Sequence, residues 1–272
     1  MSKNHSEASL EIAFPGIAEE YAEDLNEVPL AKIKAFSNRL VWWRGSCGHV
    51  YKTRVASRTR QGVGCKYCAG QAALAGFNDL ETRFPEIARE WNATKNGVPA
   101  SSVLPGSNRK FWWTCHEGHD YQRSAYERSG RGRSCPYCSN LQLLQGFNDL
   151  ATCNPELAAS FSQTLNKLTP SEVLYGSSKR YWWDCPAGHP FEQAMNKLLD
   201  PKINYGCPYC SNQKVLSGYN DLATRRPQLM ELWDFDSNDL DPTEIPGQSA
   251  KRVAWRCGKG HTWTDSPRNM KG

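Results

Sequence analysis

Eleven cysteines and six histidines are spaced along 272 residues in a pattern that can hold metal ions. Cys115 and His119 form a C-x3-H that is followed, after fifteen residues, by the C-x2-C of Cys135 and Cys138. Cys185, His189, Cys207 and Cys210 repeat the arrangement with seventeen residues between the halves. Three thiolates and one imidazole make a closed tetrahedral set suited to Zn2+, and a closed set is structural because no position is left for water. The outer copies depart from this pattern. In the first, Gly45 stands where a cysteine is expected, and Cys47, His49, Cys65 and Cys68 offer a tight C-x-H instead. That spacing predicts a weaker or differently built centre. In the last, Cys257 and His261 form a half-site with no C-x2-C before Gly272. This half-site is expected to hold no zinc by itself, with mobile residues around it and its missing ligands further along the natural chain.

Competing uses of the thiols are less consistent with the sequence. Met1 to Ala13 has no sustained apolar run, so no signal peptide is read there, and no stretch approaches eighteen apolar residues. A reducing, cytoplasmic location follows as the default, and there paired cysteines are better read as metal ligands than as disulfides. Cys153 alone falls outside the repeated pattern, and it reads as a free thiol. His5 and His116 match nothing in the other copies and read as surface residues.

The elements that position these ligands recur. GFNDL at Gly76–Leu80 returns at Gly146–Leu150 and, as GYNDL, at Gly218–Leu222. The chain therefore divides into repeats 1–75, 76–145, 146–217 and 218–272, each too small to be comfortably stable without a staple. Pro85, Pro155 and Pro227 announce a helix, with Ile87 and Trp91, Leu157 and Phe161, and Leu229 and Trp233 four apart on one face. Pro15, Ile17 and Tyr21 take those places in the first copy. A strand follows as VWW, FWW, YWW and VAW at 41–43, 111–113, 181–183 and 253–255. Alternation places its outer residues in a core and its middle residue, Trp42, Trp112, Trp182 or Ala254, on the other face.

The formal net charge is +5, unevenly distributed. Residues 1–29 carry seven acids against one lysine, whereas 30–68 carry nine basic residues and no acid. Basic residues recur at the strand entry as Arg109 and Lys110, and Lys179 and Arg180. They recur again before the second half-site as Arg54, Arg58 and Arg60, and as Arg123, Arg128, Arg131 and Arg133. Such clusters beside metal loops point to a polyanion, with phosphates held by the cations.

GFNDL, the GS before a basic pair, WWxCxxGH and GxxCPYC together resemble a bacterial and phage family known as probable zinc ribbons and also described as treble-clef zinc fingers. The resemblance runs from about Leu10 onward. It implies small α+β zinc-stabilised units in tandem, each a short helix plus a β-hairpin, with one half-site in the hairpin and the other at the following turn or helix. Some members of that family carry nuclease-like domains, which implies work on DNA. The expectation is a non-enzymatic nucleic-acid-binding array. The alternatives are a protein-interaction scaffold, suited by the acidic N-terminal stretch, and the targeting portion of a nuclease whose catalytic domain lies outside this chain. No membrane partner and no small-molecule substrate are expected.

Overall fold

The computed structural model describes residues 8–200 and 206–271, and within them the chain divides into one unit up to Pro136 and another from Tyr137 onward. Each unit contains two antiparallel hairpins. The strands are β1 (Leu40–Arg44) with β2 (Val50–Arg54), β3 (Lys110–Thr114) with β4 (Asp120–Ser124), β5 (Arg180–Asp184) with β6 (Pro190–Ala194), and β7 (Val253–Arg256) with β8 (Thr262–Asp265). Among the described residues no sheet has more than these two strands, and a lone hairpin is at best marginal in water. The hairpins need other support, and they obtain it in the same way four times.

The second tryptophan of each strand anchors a small core. Trp43, Trp113, Trp183 and Trp255 are fully buried, and each indole N–H donates to a carbonyl of the opposite strand at 2.9–3.1 Å. A buried tryptophan is tolerable only when that polar edge is satisfied. The outer strand residues are buried, as the alternation requires. The middle ones face outward: Trp42 and Trp112 are half-buried beneath Lys52 and Lys95, and Trp182 is exposed.

The helix expected after the recurring prolines is shorter than the i, i+4 spacing suggests. Two one-turn helices, Leu80–Arg83 and Pro85–Ala88, meet at Phe84, whose φ of −141° reflects the restriction on a residue preceding proline. Trp91 lies beyond the second turn and forms a β-bridge to Trp113. Tyr21, Phe161 and Trp233 bridge Trp43, Trp183 and Trp255 in the same way, edge to face. The paired aromatics are therefore a third, very short strand position against the hairpin. An asparagine completes this edge. Asn96 accepts the backbone N–H of Trp112 and donates to its carbonyl at 2.8 and 2.9 Å, and Asn26, Asn166 and Asn238 do the same for Trp42, Trp182 and Ala254. One side chain thus satisfies both backbone groups of the outward-facing residue.

Arg58 and Arg128 belong to this core, contrary to the phosphate-binding role expected of them. Arg128 is buried over Trp113 and pairs with Glu90 at 2.7 Å, and the Tyr121 hydroxyl donates to the same carboxylate at 2.7 Å. Burial, then the bond to Glu90, pushes the Tyr121 phenol well above its ordinary value. In the first repeat Arg58 pairs with Glu20 and bonds the Tyr51 hydroxyl. The corresponding residues of the third repeat are Ser160, Phe191 and Leu198, and those of the fourth are Leu232, Trp263 and Met270, of which Trp263 is exposed. The three positions change together, so they form one unit that can be ionic or largely apolar. Replacing a buried ionic set with fitting apolar residues is often neutral, whereas removing one partner strands a charge. Arg128→Leu alone should therefore destabilise the second repeat by about 3 kcal/mol. Glu90→Ser, Tyr121→Phe and Arg128→Leu together should restore most of that loss in denaturant titrations followed by tryptophan fluorescence. A triple variant no more stable than the single one would contradict the unit.

Candidate metal centres

The hairpin turn between each pair of strands is one backbone structure used four times. In the second repeat the Cys115 N–H donates to the His119 carbonyl at 3.1 Å, and the Gly118 N–H donates to the Cys115 carbonyl at 2.8 Å. The same two bonds close the turns at Gly45, Cys185 and Cys257. Gly48, Gly118, Gly188 and Gly260 all have φ near +80°, which a side chain there would strain. This turn brings the first cysteine and the histidine to one side. The C-x2-C turn follows the helices Val55–Gln61, Ala125–Ser129 and Met195–Leu199, which begin directly after β2, β4 and β6.

Three sets of four ligand atoms converge: Cys47, His49, Cys65 and Cys68; Cys115, His119, Cys135 and Cys138; and Cys185, His189, Cys207 and Cys210, with all four atoms of each set within 4.8 Å of one another. Tetrahedral zinc with ordinary bond lengths requires edges of about 3.6 Å between sulfur and nitrogen and about 3.8 Å between sulfurs. His189 Nδ1 lies 3.5, 3.9 and 3.4 Å from the sulfurs of Cys185, Cys207 and Cys210, and the Cys185–Cys210 separation is 3.8 Å. The donors therefore fit zinc in both chemistry and spacing, with Nδ1 as the imidazole ligand.

The first centre is differently built, as its spacing suggested, but its donors still converge. His49 Nδ1 is 3.6 Å from the Cys65 sulfur and 3.3 Å from that of Cys68. A Cβ on Gly45 would meet the Cys47 sulfur at 3.2 Å. The thiol has moved two positions along the turn and folds back toward the volume a cysteine at 45 would use. Glycine leaves that space open. In the fourth repeat Cys257 and His261 face each other at 3.7 Å, and no third ligand joins them among the described residues. Their hairpin is paired nonetheless, and Met270 packs on the core while the Arg226 guanidinium bonds the Pro267 and Met270 carbonyls. The order expected to be lost there is supplied by packing in place of metal.

The protein prepares some thiols for ionisation. The His49 N–H holds the Cys47 thiol below its ordinary value. For Cys185, burial pushes upward, but the N–H groups of His189 and Ala187 outweigh it. Cys68, sharing a hydrogen bond with Cys47, and Cys207, through burial, are pushed up to about 11. Zinc binding must displace those protons. Cys153 is exposed, lies in no ligand cluster among the described residues, and donates to the Phe147 carbonyl at 3.4 Å. His116 is exposed beside Glu117, and His5 lies outside the described residues.

Basic residues separate into two groups. Arg58, Arg123 and Arg128 are buried and are withdrawn from the phosphate-contact set. Arg123 donates to the Ser134 carbonyl at 3.0 Å and faces Glu127, tying β4 to the approach of Cys135. Arg54, Arg60, Arg109, Lys110, Arg131, Arg133, Lys179 and Arg180 are exposed. Of these only Arg180 forms an ion pair among the described residues, with Glu192 at 3.2 Å. The acidic N-terminal stretch is also partly used internally, through Glu20 with Arg58 and Asp24 with Arg44.

Four short α+β modules, three with a closed Cys3His cluster, define a tandem array of structural zinc-binding repeats. The chain belongs to the family described as the probable treble clef zinc finger domain, whose family model matches residues 17–71, 87–141, 157–213 and 229–272. No curated protein matches it.

Elemental analysis of protein never exposed to chelator should give three zinc ions per chain. Cys47→Ser should remove one, and Cys257→Ser none. Because thiol protons leave as zinc enters, affinity should fall by at least about tenfold per unit of acidification through the neutral range. Two ions per chain, unaltered by Cys47→Ser, would show that the first cluster is not a zinc centre.

Proposed function

We propose that the array binds nucleic acid, DNA in particular, mainly through phosphates and with little sequence preference. The observation that carries this reading is a basic turn repeated at the entry to every hairpin. Ser37, Ser107, Ser177 and Ser249 each accept, through the side-chain oxygen, the backbone N–H two residues on, at 3.1–3.3 Å. Those next-but-one residues are Arg39, Arg109, Lys179 and Lys251, all exposed. The serine carbonyl in turn accepts the N–H of Ala56, Tyr126, Asn196 or Arg268, so the turn is fastened to the segment after the second strand. A cation held by such a turn is offered at one place in every repeat, as contact with a phosphate backbone requires.

Arginine stacking supports the same reading. Arg60, Arg109 and Arg131 lie over Phe36, Phe111 and Tyr126 at 5.3–5.4 Å. A guanidinium resting on an aromatic face keeps its N–H edge for a phosphate. In this reading the chain is non-catalytic, because four protein ligands fill each complete metal centre. The protein-scaffold alternative loses part of its motivation, since Glu20 and Asp24 already have internal partners.

If about four to six phosphates are neutralised, log affinity should fall against log salt with a slope of roughly −3 to −5. Arg60→Glu, Arg109→Glu, Lys110→Glu and Arg131→Glu combined should abolish binding and leave zinc content unchanged. Arg58→Glu and Arg128→Glu should instead unfold their repeats. Salt-independent affinity, or no binding of any DNA or RNA at low salt by the zinc-loaded protein, would overturn the proposal and favour a protein partner.

A further inference from the structure

We propose that the first and third metal centres are each walled by the following repeat, so that the GFNDL or GYNDL segment there is a metal-dependent joint between neighbouring repeats. Its residues divide between two tasks. The last two serve the repeat they begin: Asp79 caps the helix Leu80–Arg83 by accepting the Thr82 N–H at 2.9 Å, and Leu80 is fully buried. The preceding two reach backward. Asn78 donates to the Tyr67 carbonyl at 2.8 Å, inside the Cys65–Cys68 turn, and to the Ala72 carbonyl at 3.0 Å, while accepting the Leu74 N–H at 2.7 Å. The Phe77 ring lies against the His49 imidazole, with centroids 4.3 Å apart.

The joint between the third and fourth repeats is built alike. Asn220 donates to the Tyr209 and Lys214 carbonyls at 2.8 Å and accepts the Leu216 N–H at 2.7 Å. Tyr219 lies 3.9 Å from His189, and its hydroxyl donates to the Cys210 sulfur at 3.7 Å. Asn148 makes the equivalent bonds to Tyr137 and Gln142 at 2.9 Å. The first repeat keeps only the residues that serve the repeat itself. Its helix Leu10–Ala13 keeps the capping hydroxyl, from Ser9, and the buried Leu10. The positions of the aromatic and asparagine are Glu7 and Ala8. The backward-reaching asparagine recurs in all three segments that follow a C-x2-C in this sequence.

Groups that touch metal ligands fix their orientation and shield them, and losing one typically costs ten- to a hundredfold in metal affinity. Phe77 and Tyr219 are thus positioning residues for ligands in the repeat before their own. The coupling runs both ways: a C-x2-C turn ordered by metal presents the carbonyls that hold Asn78 or Asn220. Neither direction depends on what the array binds.

The test uses the full zinc-loaded chain and a competing chromogenic chelator. Phe77→Ala and Tyr219→Ala should each release one zinc per chain about ten- to a hundredfold faster, with the other ions unaffected. Release within about twofold of the parent, or acceleration of all ions together, would overturn the proposal. A second readout is amide exchange in Cys68→Ser. Exchange at Leu74, whose N–H is held by Asn78, should rise while β3 and β4 stay protected, and unchanged exchange at that amide would equally overturn it.

Discussion

The structure depends on closing two short pieces of chain around one point. A hairpin turn delivers a thiolate and an imidazole, and a second turn delivers two thiolates. Tetrahedral zinc tolerates only a narrow range of ligand separations. The hairpin turns of the three complete centres, closed by the same two hydrogen bonds, meet that demand. Structural zinc in small modules is worth on the order of 10 kcal/mol at neutral pH, comparable to the whole stability of a small domain. With the metal fixing the ends, a core of one tryptophan and a few partners is sufficient.

This constraint also explains the latitude seen elsewhere. The Glu–Arg–Tyr set beneath the first two hairpins is apolar apart from Ser160 in the third repeat, and in the fourth Leu232 and Met270 pack on the core while Trp263 is exposed, because the space must be filled but the chemistry of filling is free. The first cysteine can move from position 45 to 47, because zinc requires a sulfur at a point in space and not at a position in sequence. In the fourth repeat, where no third ligand joins Cys257 and His261 among the described residues, Met270 and Arg226 hold the segment after β8 against the core.

Much of this was legible in the sequence. Ligand identity, the repeat and the buried outer residues of the WW strands all follow from spacing and alternation, since both are local rules. Three features were not. The buried Arg58, Arg123 and Arg128 looked like surface cations because composition cannot separate a guanidinium facing solvent from one facing a carboxylate distant in sequence, as Glu20 is from Arg58. Trp91 looked helical because a spacing of four is equally met by one helical turn followed by a bridge. The GFNDL motif read as a turn marking a repeat boundary, whereas Asn78 and Phe77 act across that boundary on the preceding centre. The signal that could have found this was the replacement of both by Ala8 and Glu7 before the first repeat.

X-ray absorption at the zinc edge tests the central claim most directly, because it reports the ligands of the metal itself. Closed Cys3His centres predict an average of three sulfurs at about 2.3 Å and one nitrogen at about 2.0 Å, with no oxygen ligand. A first shell containing oxygen, or fewer than three sulfurs per zinc, would mean that the centres are open and that the fold is not held as described.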